Sequence, residues 1–208
     1  GEHLAHGFLH IRRERGREIT KRGLAGICAA LASARNGAKT ILVQDRSRLG
    51  GNSSSEIKMH PLGVNGDKWG WREAGILEEL KLENAANNPQ RSWDMWDLML
   101  YDKCVTEPNL TLLLDTAVYS ADTDGGKIAA VYARSDKTLK IYRIKAKTYI
   151  DSTGDSRLAM ESGAELMNGR EGSEKYGEPL ADTYERGKHL CSSIMFTSKD
   201  CGKPVSFK

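Results

Sequence analysis

Two groups of residues, more than a hundred positions apart, carry chemistry of one kind. The first is the turn Gly23-Leu24-Ala25-Gly26, followed by a carboxylate at Asp45. The second is Thr153-Gly154-Asp155, which closes the short apolar run Tyr149-Ile150. A glycine backbone can come close to a ligand because no Cβ stands in the way. An aspartate accepts hydrogen bonds from sugar hydroxyls. Asp45 lies 19 residues after Gly26, near the roughly 20 at which a ribose-binding carboxylate follows such a turn. Together the groups describe a dinucleotide gripped from two sides. Thr-Gly-Asp is also a good turn and helix start, so the second group gains its meaning only from the first.

Between them runs Arg46-Ser47-Arg48-Leu49-Gly50-Gly51-Asn52-Ser53-Ser54-Ser55. Its paired glycines can turn backbone N–H groups toward a pyrophosphate; a flexible loop is the other reading. His60 is the weak catalytic candidate, since imidazole titrates near neutrality. Trp69 and Trp71 are able to stack on a planar substrate or to cover the core. Cys191 and Cys201 are isolated thiols of the kind that is usually inert.

These residues need elements to position them. Leu24 to Arg35 places Leu24, Ile27, Cys28, Leu31 and Ala34 on one helical face, and Asn36-Gly37 closes the helix. Thr40 to Val43 is fully apolar after its threonine and reads as a strand buried on both faces. Helices are expected over 73–88, with Ile76, Leu77 and Leu80 inward and Pro89 as the stop, and over 92–107, capped by Ser92 with Trp93, Trp96, Leu100 and Cys104 on one stripe. From Leu110 the period shortens. Segments 110–114, 117–121, 127–134, 138–144 and 146–150, broken by Asp124-Gly125-Gly126 and Asp136-Lys137, read as a β-meander over about 110–150. A short helix over 156–163 follows, and 190–197 is read as a strand.

Composition bounds the rest. The 31 basic and 28 acidic residues leave a net charge of +3, too small to argue for nucleic acid. The basic run around Arg12-Arg13-Glu14-Arg15 reads as a solvated terminus. Four widely spaced cysteines exclude a C-x-x-C site and fit a reducing, cytoplasmic setting. No stretch has the 18 to 20 apolar residues of a membrane helix, and none has the form of a signal peptide. A small-molecule substrate is therefore the expected partner, with no nucleic acid and no membrane.

Turn, acid, Gly-Gly loop, antiparallel insertion and terminal Thr-Gly-Asp come in a fixed order. In that order the chain resembles the bacterial FAD-dependent oxidoreductases, flavoproteins of the glutathione-reductase-like type with two dinucleotide-binding domains. The resemblance runs from about Gly23 to Lys208. It implies an α/β fold, a Rossmann-like FAD-binding parallel sheet with the inserted meander and the start of a substrate domain. The implied division is an atypical segment 1–18, an FAD-binding domain 19–165 and a truncated substrate or cap region 166–208. It also implies FAD as cofactor, with hydride transfer to or from a small organic substrate. Gly23 and Gly26 would sit under the pyrophosphate, Asp45 on the adenosine ribose with Arg46 beside it, and Gly50, Gly51, Asn52 and Ser53 along the pyrophosphate and ribityl chain. Val118 would meet adenine, and Thr153, Gly154 and Asp155 would hold the ribityl or pyrophosphate end.

One stretch departs from the pattern. In the G-x-G-x-x-G frame the first glycine is Lys21, and the preceding 12–20 is too charged to be expected as a central strand. The displaced Gly7 to Ile11 is the apolar candidate for that strand. A non-catalytic remnant that no longer binds flavin, and an NAD- or nucleotide-binding module, are the alternatives.

Overall fold

The computed structural model of this 208-residue chain describes residues 8–10, 17–21, 23–61, 74–183, 196 and 198–206. Trp69, Trp71, Cys191 and the strand expected over 190–197 lie outside the described residues, Phe196 excepted, which is not in a strand. The chain forms two compact units, Gly1–Leu166 and Met167–Lys208.

In the first unit the elements run β1 (Phe8–His10), β2 (Arg17–Lys21), α1 (Gly23–Arg35), β3 (Lys39–Val43), α2 (Gly75–Asn87) and α3 (Trp93–Val105). Then come β4 (Leu110–Leu113), β5 (Thr116–Asp124), β6 (Lys127–Ser135), β7 (Ile141–Ile144), β8 (Thr148–Tyr149) and α4 (Arg157–Glu161). The second unit carries α5 (Ser173–Tyr176) and a bridge between Gly172 and Asp182.

The strands build two sheets. One has the order β4-β3-β2-β8 and is parallel throughout; the other has the order β1-β7-β6-β5. Alternation along β3 explains how they stack, since successive side chains of a strand point to opposite faces. Leu42 packs with Ile27, Leu31, Leu80, Leu100 and Cys104 in a helical layer. Ile41 and Val43 pack instead with Val118, Val131, Ala133, Ile144 and Leu158 under the second sheet. The parallel sheet is thus the middle of three layers, as its apolar β3 requires.

Three expectations need correcting. The charged segment before Lys21 is not excluded from the sheet: Arg17–Lys21 is a central strand, hydrogen-bonded to β3 on one side and β8 on the other. Ladder bonds come from the backbone and are indifferent to side-chain type, so charged residues do not bar Arg17–Lys21 from pairing with Lys39–Val43 and Thr148–Tyr149. The displaced apolar segment does form a strand, β1, but pairs with β7 in the second sheet. The meander is also shorter than expected. β4 and β8 belong to the parallel sheet, which leaves β5, β6 and β7 as the antiparallel insertion.

Local signals account for the element ends. After α1, Gly37 N–H bonds to Ala34 O at 2.9 Å and Ala38 N–H to Ser33 O at 3.1 Å, the pair of bonds that a left-handed glycine permits at a helix end. Gly125 and Gly126, both at positive φ, make the two-residue turn between β5 and β6. Ser92 stands at the N-cap of α3, yet its side chain makes no capping bond. The junction is held by Asn88, whose amide donates to Asn84 Oδ1 at 2.9 Å and Ser92 O at 2.7 Å while its oxygen accepts from Ser92 N–H at 2.8 Å.

Candidate functional site

Parallel strands deliver their following loops to one edge, and ligands of open α/β sheets bind there. At that carboxyl edge, β2 runs into Gly23 and α1, β3 into Asp45, and β8 into Asp151 to Asp155. Gly23 has φ +78°, and a Cβ built on it would face Ser152 O at 3.7 Å. A Cβ on Gly51 would stand 3.1 Å from Gly23 Cα. The glycine turn, the Gly-Gly loop and the Thr-Gly-Asp turn therefore meet at Gly23. The first turn of α1 holds no acidic residue, so its unpaired N–H groups and dipole favour an anion. Gly26 is buried on α1, against the layer below.

The Gly-Gly loop is pinned. Ser53 N–H bonds to Gly50 O at 3.0 Å, and Ser54 Oγ donates to Gly51 O at 2.7 Å. From α3, Trp96 Nε1 donates to Ser53 O at 2.8 Å, so a tryptophan read as core also clamps the loop. Asp97, not singled out in the sequence, accepts from Ser55 N–H at 3.1 Å and holds Arg48 at 2.9 Å. Ser53 Oγ is buried and has no hydrogen-bond partner among the described residues, whereas buried hydroxyls are ordinarily satisfied.

A cavity of about 370 Å³ opens beside this edge, lined by Val43, Asp45, Val118, Tyr119, Thr153, Asp155 and Arg157 among others. It brings together Asp45 and Asp155, the acids of the two distant motifs, with Val118 at its wall. Two carboxylates in one cavity repel a phosphate and accept hydroxyl protons, which divides the labour with the anion-favouring turn at Gly23. Tyr119 and Arg157 join this lining without any sequence signal that distinguishes them from ordinary surface residues.

The Thr-Gly-Asp turn shows how structural and binding duties are shared. Asp151 Oδ1 accepts from Thr153 N–H at 2.9 Å and Asp151 Oδ2 from Ala159 N–H at 3.0 Å. Thr153 Oγ1 accepts from Arg157 N–H at 2.8 Å, capping α4. Burial alone would raise the Asp151 pKa, but the bonds from Thr153, Ala159 and Leu158 outweigh it and hold the carboxyl below its ordinary range. Asp155 is exposed and its carboxylate accepts no hydrogen bond among the described residues. The turn is thus built by Asp151 and Thr153, which leaves Asp155 available to a ligand.

Three candidates sit elsewhere. Arg46 is exposed and paired with Glu56 at 3.0 Å. Asn52 is exposed, and its carbonyl accepts from Met59 N–H at 2.9 Å. His60 lines a different cavity, its ring 5.0 Å from that of Trp93. Cys104 is fully buried, which pushes its thiol up to about 12, while Cys201 is exposed. Among the described residues no group of three or more metal-ligating side chains converges, and no helix is long and apolar enough to cross a membrane.

A sequence model of the family described as FAD dependent oxidoreductase matches residues 22–206. No curated protein matches the chain. Among solved structures, a geranylgeranyl bacteriochlorophyll reductase-like protein of Thermoplasma acidophilum is 17% identical with a TM-score of 0.51, over 79% of this chain and 45% of that one. THI4 of Thermovibrio ammonificans is 16% identical with a TM-score of 0.51, over 76% and 66%. The glycerol-3-phosphate dehydrogenase of Bacillus halodurans, complexed with FAD, is 14% identical with a TM-score of 0.46, over 72% and 36%. At these identities the likeness is one of fold. The chain spans less than half the length of the first and third of these proteins and 66% of the second.

Proposed function

The chain belongs to the FAD dependent oxidoreductase family, and from that premise we propose that it holds FAD along the carboxyl edge of the parallel sheet and serves hydride transfer involving a small organic substrate. The observation that carries this reading is the convergence of the two motifs: Gly23 lies close to both Ser152 and Gly51, and Asp45 shares one cavity with Asp155.

The residues present fit the cofactor. Gly23 and the acid-free first turn of α1 would receive the pyrophosphate, with Gly51 kept small against them. Asp45 would accept the ribose hydroxyls, and the buried wall at Val118 would face the adenine. Asp155 would accept hydroxyls of the ribityl chain, and Ser53 Oγ, buried and without a partner among the described residues, would take a polar group of the ribityl and pyrophosphate portion. When bound, FAD supplies the acceptor and donor for a hydride exchanged with substrate. The protein binds and orients, and the pinned Gly-Gly loop keeps those contacts in fixed register.

The rival readings draw less support. A remnant without flavin rests on a first turn broken at Lys21 and on a missing entry strand, and of these the strand is present as β2. A module for a single nucleotide has no use for Asp155 beside Asp45. The glutathione-reductase-like subclass, a bacterial and cytoplasmic setting, and the division at 1–18, 19–165 and 166–208 belong to the same proposal. They rest on motif order and on the wide spacing of the cysteines.

The test is reconstitution. Purified protein incubated with FAD and freed of excess should retain near-stoichiometric flavin absorbance, bleached by anaerobic reductant and restored by substrate-side oxidant. A colourless protein that ignores FAD but binds NAD would overturn the reading.

A further inference from the structure

The second cavity, of about 450 Å³, falls within the roughly 300–1,000 Å³ of small-molecule sites. It lies between the α2–α3 junction and the segment after the Gly-Gly loop, on the first unit. His60 and Trp93 form one wall, their rings 5.0 Å apart and tilted by 40°. Lys81 from α2 and Arg91 from the junction supply positive charge, and among the described residues no carboxylate lines the cavity. Neither cation makes an ion pair with a described residue, whereas Arg35, Arg46, Arg48 and Lys103 all do.

One neutral polar group of the lining is already engaged. Asn88, 4% exposed, spends both ends of its amide on Asn84 and Ser92. It fixes the junction and leaves Lys81 and Arg91 as the lining's charged donors that form no ion pair with a described residue. Arg91 is itself held at φ +53°, a conformation that side chains other than glycine adopt at a cost and that clusters at binding sites. Ser92 and Trp93 put the start of α3 on the same cavity, and no side chain caps it. Paired aromatic rings accept a flat apolar body, and a planar guanidinium beside an ammonium accepts a carboxylate.

We propose that this cavity is a binding site for an organic carboxylate with a flat apolar body. The site is separate from the cavity lined by Asp45 and Asp155 and stands on its own lining, whether or not FAD is loaded.

Calorimetric titration of the FAD-incubated protein with phenylacetate, and with the neutral isostere phenylacetamide, tests it. Phenylacetate should bind at least about ten-fold more tightly, the worth of one charge-assisted hydrogen bond. Arg91→Gln and Lys81→Gln should each weaken phenylacetate several-fold and leave phenylacetamide unmoved. Arg91 is exposed and forms no ion pair with a described residue, so its variant keeps the fold; circular dichroism checks this, and retained flavin absorbance reads the cofactor site independently. Equal affinity for the two ligands, no binding of phenylacetate, or variants that bind it like the parent would each overturn the proposal. Failure to retain FAD with phenylacetate binding intact would instead count against the proposed function alone.

Discussion

Gly51 lies over Gly23 so closely that a Cβ on the former would stand 3.1 Å from the Cα and 3.3 Å from the N of the latter. The two glycines come from different loops, one opening α1 and one following β3. Their approach brings the loop over the helix N-terminus at a distance that an added Cβ would crowd.

Gly51→Ala should therefore lower FAD affinity by at least about ten-fold, besides the ~1 kcal/mol cost of a side chain at φ +60°. Gly37→Ala is the control. Its φ is +87° and nothing stands within 4 Å of its added Cβ, so it should cost a similar ~1 kcal/mol of stability and leave FAD affinity alone. Equilibrium denaturation with flavin titration of both variants separates strain from obstruction.

Asp151 and Asp155 should divide cleanly. Asp151→Ala strips the acceptor from Thr153 N–H and Ala159 N–H and should cost about 1–3 kcal/mol, seen as a lower urea midpoint. Asp155→Ala removes an exposed carboxylate and should change stability by less than ~0.5 kcal/mol while weakening FAD roughly ten-fold. Equal effects of both on stability would show that Asp155 is structural.

Acid sensitivity should centre on Glu79. Arg35 hydrogen-bonds it at 2.7 and 2.8 Å, and this pair, with Lys103, holds its carboxyl down to about 2 from 4.5. A lowered folded-state pKa means stability that is complete above the ordinary carboxylate value and is lost as pH falls from about 4.5 toward 2. The pair is over a third exposed on both sides, so solvent screening limits its worth to about 0.5–1 kcal/mol. Urea midpoints at about pH 5 and pH 3 should diverge less in Glu79→Gln than in the parent by that amount.

Thiol reactivity should follow burial. Cys104, fully buried and pushed up to about 12, should resist iodoacetamide in the folded protein, while exposed Cys201 should be alkylated first. Peptide mass mapping before and after denaturation checks the order; early modification of Cys104 would mean that the α1–α3 layer opens readily.

Helix periodicity, turn glycines and the order of motifs were legible in the residues because they are local. Leu24 to Arg35 shows its buried face by spacing alone, and the observed helix differs by one residue. The Asp124-Gly125-Gly126 turn is where positive φ demands it. Asp45, Val118, Thr153 and Asp155 were singled out individually, and they line one cavity. The charged strand Arg17–Lys21 was not legible, since a ladder is made by backbone groups that leave no mark on composition. Nor was the division of the short strands: Leu110–Leu113 and Thr148–Tyr149 look like neighbours of the meander in sequence, yet pair with β3 and β2.

By itself, then, the sequence determined which glycines and aspartates the chain carries and in what order they come, because glycine's freedom and aspartate's acceptor chemistry belong to the residue. Only the tertiary structure decided that Gly23 lies close to both Gly51 and Ser152, that Asp151 builds the turn so that Asp155 need not, and that His60 faces Trp93 in a cavity other than that of Asp45. Those are relations between distant segments, set by sheet order and layer packing, and no local period encodes them.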